Sequence, residues 1–180
     1  MADSRPAWHF TALQEDSTLS GKVTPDPTQQ HPEAVARFGL NSAFFPALEE
    51  QGYFGDMPKD EAFTIAGEVF ASAYFARVGG IDIKDQAIAT KLADLGFNMG
   101  VGEAIKIAQR ACNSLQTVVH PALAVDGQIG PNTLAAINGA DPVALLASIK
   151  GYAAQRYRDI AFTQGRPDSI LQAWLKRAAA

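Results

Sequence analysis

The 180-residue chain is 47% hydrophobic and 19% charged, an ordinary globular composition at a length that supports one domain with a full core. A formal net charge of -4 and a pI near 5.3 exclude the basic footprint of a nucleic-acid or anionic-lipid binder. The single cysteine, Cys112, excludes an internal disulfide, and no apolar run approaches the roughly 20 residues that a membrane-spanning helix needs.

The opening stretch, MADSRPAWHFTALQEDS, lacks the basic, apolar and small-residue order of a secretory signal peptide. Within it an apolar helical pattern carried by Trp8 and Leu13 runs out at Glu15. The next segment, TLSGKVT, predicts a small hairpin turning at Ser20-Gly21. In TPDPTQQHP the prolines argue against regular structure. DEAFTIAGEVFASAYFARV then places Phe63, Ala66, Val69, Phe70, Ala73 and Tyr74 at helical steps, with Pro58 before it and Gly79-Gly80 closing it. IKDQAIATKLADLGFNMG repeats the pattern with Ile83, Ala87, Ile88, Leu92 and Leu95. GEAIKIAQRACNSLQ follows after a short glycine break, and Cys112 within it reads as a small buried apolar residue. DPVALLASIKGYAAQRYRDIAF predicts a long helix with Asp141 as N-cap and Pro142 at its first position. PDSILQAWLKRA predicts a closing helix whose basic residues complement the dipole at its C-terminus. The fold class expected is mainly α, with a small β-hairpin or loop lobe between residues 16 and 40.

Glu15 is the residue in this pattern that invites chemistry. A carboxylate at a helix C-terminus faces the negative end of the macrodipole, and packing against Trp8, Phe10 or Phe38 works in the same direction by desolvation. Both favour a protonated glutamic acid, which is what glycosidic-bond cleavage needs at the leaving oxygen. Such cleavage usually takes a second carboxylate; Asp26 is the natural candidate and Asp16 a weaker one. A plain helix-end carboxylate is the competing reading. His9 and His31 have no ligand-spaced partner, so no metal site is assigned, and His120 beside Pro121 reads as a surface residue.

Two segments of the second half, LADLGFNMGVGEAIKIAQRA and VDGQIGPNTLAAINGADPVALLASI, carry Asn98, Gly100, Gln109 and Arg110 and then Asp126, Gly127, Ile129, Gly130, Pro131, Thr133 and Leu134. In order and spacing they resemble the lysozyme-like N-acetylmuramidases of glycoside hydrolase family 108, with their C-terminal predicted peptidoglycan-binding portion. The likeness runs from about Phe10 to Trp174. Its DGxIGPxTL element has a turn-forming reading as well as a ligand-binding one: Asp126-Gly127 and Gly130-Pro131 make tight turns ahead of a helix that buries Leu134 and Ile137. At the front, Glu15 falls on the family's catalytic acid, Asp26-Pro27 on its Asp-Pro element and Phe38-Gly39-Leu40 on its aromatic-Gly-Ile element. The two glycines that follow the family's glutamate are replaced here by Asp16 and Ser17, and its threonine by Ala36.

The resemblance implies one lysozyme-like domain, with residues from about 8 to 115 catalytic and from about 116 to 180 a helical, peptidoglycan-binding-like part packed on it. It implies a muramidase cleaving the β-1,4 bond between N-acetylmuramic acid and N-acetylglucosamine. Glu15 would be the general acid and Asp26 the stabilising or water-positioning carboxylate, while Asn98, Phe38 and Gln109 would contact substrate. No cofactor or metal is implied, and the partners expected are peptidoglycan glycan strands, with an immunity protein if the chain is an antibacterial effector. A monomer is expected. Action lies in the periplasm or outside the cell, reached through a holin or a specialised secretion system. The alternatives are a lytic transglycosylase and a non-catalytic peptidoglycan-binding module.

Overall fold

The computed structural model describes residues 1–25, 31, 33–115 and 122–180. Asp26 and His120, both singled out in the sequence, lie outside the described residues. Among the described residues no helix is long and apolar enough to cross a membrane.

The architecture is mainly α, as expected, with one small antiparallel sheet. Helix α1 (Ser4–Glu15) starts at Asp3, whose carboxylate accepts from the Arg5 amide, and buries Ala7, Trp8, Thr11 and Ala12. The Trp8 indole N–H donates to Phe63 O at 3.2 Å, and its ring packs among Phe63, Phe70 and Phe97.

The hairpin is not where the sequence placed it. The segment around Ser20-Gly21 forms no strand, and Thr24–Pro25 is instead β1, paired with β2 (Val35–Arg37). The hairpin proper joins β2 to β3 (Leu40–Asn41) through Phe38 and Gly39, with φ of 48° and 76°. Two consecutive positive φ values make a primed turn, whose twist matches that of the strands it joins. Phenylalanine is an unfavourable residue there, and burial of its ring edge-on to Phe63 offsets the strain. A buried Arg37 holds this lobe together, donating to the carbonyls of Gly21, Tyr53 and Met57 at 2.8, 2.8 and 2.9 Å.

A short helix α2 (Pro46–Glu50) leads to α3 (Lys59–Phe70), which starts directly after Pro58. The helix predicted to run on towards Gly79 widens into a π turn at Ala71–Phe75, closed by the Ala76 N–H to Ala71 O bond. Helix α4 (Gln86–Met99) begins later than the apolar pattern suggests, because Asp85 caps it through the Ile88 amide. It is the central element, with Ile88, Leu92 and Leu95 buried together with Lys91 and Asp94. Gly100, at φ 95°, turns the chain into α5 (Val101–Ser114). Cys112 is buried there, and burial pushes its thiol up to about 11, which suits a packing residue. Helix α6 (Pro131–Gly139) buries Ile137. The long α7 (Pro142–Gln164), capped by Asp141 as predicted, ends at the left-handed Gly165. Helix α8 (Asp168–Ala179) folds back on α7, where Trp174 stacks on Tyr157.

Candidate functional site

Glu15 is the last residue of α1, so its side chain emerges where the backbone leaves the helix. Counted whole, it is an exposed residue; its side chain alone is 23% exposed, so much of that exposure is main-chain. It lines a cleft of about 400 Å³ shared with Asp16, Ser20, Lys22, Ala36, Phe38 and Gly39. The end of α1 forms one wall and the β2–β3 turn faces it. Gly39 sits against Glu15: a Cβ there would stand 2.8 Å from Glu15 Cγ and 2.7 Å from Phe97 Cε1.

On its inner side Glu15 meets a buried charge cluster. Arg177 Nη1, from the last turn of α8, donates to Glu15 Oε1 at 2.6 Å. The other edge of the guanidinium grips Asp94, with Nη2 to Oδ1 at 2.8 Å and Nε to the two oxygens at 3.2 and 3.3 Å. Asp94 is fully buried. Lys91 Nζ donates to Arg177 O at 2.7 Å and lies 3.9 Å from Asp94 Oδ2. The cluster joins the carboxyl groups of Glu15 and Asp94 to the side chains of Arg177 and Lys91. Burial works against the charge on Arg177, but Asp94 and Glu15 outweigh it and hold the guanidinium above its ordinary value. Lys91 goes the other way: burial, aided by Lys150 and Arg177, outweighs Asp94 and brings its ammonium down to about 8. Tyr74, on the π turn, packs on Phe97 at 4.8 Å between ring centroids; burial, with a contribution from Glu15, raises its hydroxyl despite Arg77.

Asp16 organises the loop beside the site. Its carboxylate accepts from Thr18 N, Thr18 Oγ1, Ser20 Oγ and Gly21 N at 3.2, 2.9, 2.8 and 2.9 Å. Burial opposes its charge, but these bonds outweigh it and hold the carboxyl below its ordinary value. The sharp turning is done further along, at Leu19 and Gly21, both with positive φ. Asp16 is therefore a loop anchor with its acceptors committed.

The other residues expected at the site separate. Phe38 lines the cleft beside Glu15. Asn98 does not line it; its Oδ1 accepts from Tyr157 OH at 2.8 Å, which ties α4 to α7 within the helical part. Gln109 is 1% exposed and spends its amide on the chain itself. Its Nε2 donates to Asp126 Oδ1 and Gln128 O, and its Oε1 accepts from Gly127 N. It therefore holds the DGxIGPxTL turn in place, beside a cavity of about 260 Å³ that it lines with Asp126, Gly130 and Thr133, away from the Glu15 cleft. His9 is exposed, and His31 lies edge-on to Phe44.

The sequence reading missed Arg177, Asp94 and Lys91. Lys91 carried a signal, since it occupies a step of the apolar stripe that Ile88, Leu92 and Leu95 define. Arg177 was expected to complement a helix dipole; its guanidinium is instead drawn inward by two carboxylates from α1 and α4.

Residues 103–179 match a family model described as "Predicted Peptidoglycan domain". The match links the C-terminal part of the chain to peptidoglycan. It begins within α5, ahead of the boundary expected near residue 116, and takes in both the DGxIGPxTL turn and Arg177. The solved structure of SagA from Brucella abortus is similar in fold, with a TM-score of 0.61 over 95% of this chain and 94% of that one, at 19% identity. No curated protein matches the chain.

Proposed function

We propose that the chain is a peptidoglycan hydrolase acting as a muramidase, with Glu15 as its general acid. The observation that carries this reading is the setting of Glu15. It lies at the mouth of a cleft, with Oε1 held from behind by Arg177 and Oε2 without a hydrogen-bond partner among the described residues. A carboxyl group fixed at one oxygen presents the other to a substrate in a defined direction. The link of residues 103–179 to peptidoglycan supplies the substrate class.

In the reaction Glu15 gives its proton to the glycosidic oxygen as the bond from that oxygen to C1 of N-acetylmuramic acid breaks. Water then adds to C1 and gives its proton to a carboxylate, Glu15 itself or Asp26, from which Glu15 is restored to the protonated form for the next turnover. Asp26 is the proposed second carboxylate, stabilising the oxocarbenium-like transition state or directing that water. Phe38, its ring buried against Phe63, supports the β2–β3 turn that faces Glu15. Peptidoglycan places the action in the periplasm or outside the cell; if the chain serves as an antibacterial effector, an immunity protein would cover this cleft.

A second reading, a lytic transglycosylase, draws on the described part of the cleft, where Asp16 is committed to its loop and Glu15 is the carboxylate with an oxygen to spare. There Glu15 acts as acid and then base, and the sugar's own hydroxyl attacks C1. The test is digestion of purified sacculi by the wild-type chain and by Glu15→Gln, with mass spectrometry of the products. Reducing muramic-acid ends from the wild type and none from the variant are expected. A 1,6-anhydro end selects the transglycosylase, and binding without any release leaves a binding module.

A further inference from the structure

We infer that Arg177, delivered by the helix that closes the peptidoglycan-matching segment, is a positioning residue for Glu15. The inference rests on the reading of Glu15 as the acid, and it gives the C-terminal segment a part in the reaction besides any binding of the wall.

The geometry is that of a clamp. Arg177 is 162 residues from Glu15 in sequence, yet its Nη1 lies 2.6 Å from Oε1. Its remaining edge is fixed on Asp94 by three contacts of 2.8–3.3 Å, so the guanidinium plane is set before it meets Glu15. The main chain of Arg177 is held as well, because Lys91 Nζ donates to its carbonyl at 2.7 Å. Both anchors come from the central helix α4. Gly39 stands against the Glu15 side chain, with the Phe97 ring also beside it. An exposed ion pair has no such framework and contributes little; here the Arg177 and Asp94 side chains are 8% and 0% exposed.

Such a clamp does two things for an acid that must give up a proton. It fixes the carboxyl group through Oε1 while Oε2 stays without a hydrogen-bond partner among the described residues, and it stabilises the carboxylate left after the proton has gone, where charge develops during the reaction. Lysine cannot reproduce it, since a single ammonium cannot hold Asp94 side-on and reach Glu15 at once.

The experiment uses the full chain with Arg177→Lys and, because an unpaired Asp94 endangers folding, the paired variant Asp94→Asn with Arg177→Gln. Folding is followed by circular dichroism, sacculus binding by co-sedimentation and turnover by muropeptide release across pH. The titratable and charged groups around Glu15 are Asp16 and Lys22 in the cleft, Tyr74 on the π turn, Tyr157 on α7, and Lys91 and Asp94 behind Arg177. Folded Arg177→Lys is expected to bind sacculi like the wild type while turnover falls by about tenfold or more and the pH profile is displaced. The paired variant is expected to lose turnover while it still binds sacculi. Wild-type turnover and pH profile in either folded variant overturn the inference, as does a loss of binding in parallel with turnover. Failure of both variants to fold assigns Arg177 to stability alone and overturns it equally. A wild-type chain that releases nothing refutes the functional reading, and this inference with it; an active wild type with unaffected variants refutes the inference alone.

Discussion

Gly39→Ala tests whether the β2–β3 turn holds Glu15 in place. Gly39 has φ 76°, a conformation that costs an alanine about 1 kcal/mol or somewhat more. The added methyl would also stand 2.7 Å from Phe97 Cε1 and 2.8 Å from Glu15 Cγ, well inside ordinary contact distance. Overpacking of this kind adds about 1–3 kcal/mol. The expected destabilisation is thus about 3 kcal/mol, which for a domain of this size lowers Tm by about 6–12 °C. Gly52→Ala is the control, since Gly52 has φ 75° and nothing within 4 Å of its added Cβ. It carries the backbone cost alone, about 1 kcal/mol and about 2–4 °C. Thermal unfolding of both variants beside the wild type separates the two contributions. Muropeptide release, measured below the unfolding range, reports on Glu15 itself, and a displacement approaching 1 Å is expected to cost about 100-fold. Equal Tm losses in the two variants, or wild-type turnover in Gly39→Ala, would refute the reasoning.

Two further outcomes follow from the titrating groups. Lys91 has its ammonium brought down to about 8 in the folded chain, against 10.5 ordinarily. Between those pH values the unfolded chain binds the additional proton, so Lys91's contribution makes stability rise with pH across that window, by on the order of 3 kcal/mol over its full width. Denaturant melts from pH 7.5 to 9.5 should show the rise in the wild type and a flatter curve in Lys91→Met; parallel curves would count against it. Asp16 titrates below its ordinary value, so its contribution is present at neutral pH and fades as the solution is acidified through the carboxylate range. Asp16→Ala should cost about 1–2 kcal/mol at pH 7 by freeing the loop, with the gap to wild type narrowing below pH 4. An Asp16→Ala chain as stable as the wild type at pH 7 would remove the anchor role.

The helical framework was legible because its signals are local. Apolar residues at three- and four-residue steps mark the buried face of a helix whatever it packs on. Asp141-Pro142 starts a helix through its own side chain and fixed φ, and α7 begins there. The sheet was less legible: its strands are two or three residues long, and pairing with residues 35–37 decided that Thr24–Pro25 is a strand although it contains a proline. The π turn at Ala71–Phe75 was hidden for the same reason, since its residues read as ordinary helix formers.

At the site, the sequence by itself singled out Glu15, from its place at a helix end and from the resemblance in the second half of the chain. It also showed that Asp16 and Ser17 follow that glutamate directly. Only the tertiary structure decided what these polar residues do. Asp16 draws four donors from the next five residues and becomes a loop anchor, and Gln109 turns inward to hold a turn. It alone decided the partner of Glu15. Arg177, at the far end of the chain, is buried because α8 folds back on α7 and brings a guanidinium between carboxylates from α1 and α4. Helix patterns report which face of an element is buried; which charges meet there depends on how distant elements pack, and that is a property of the whole fold.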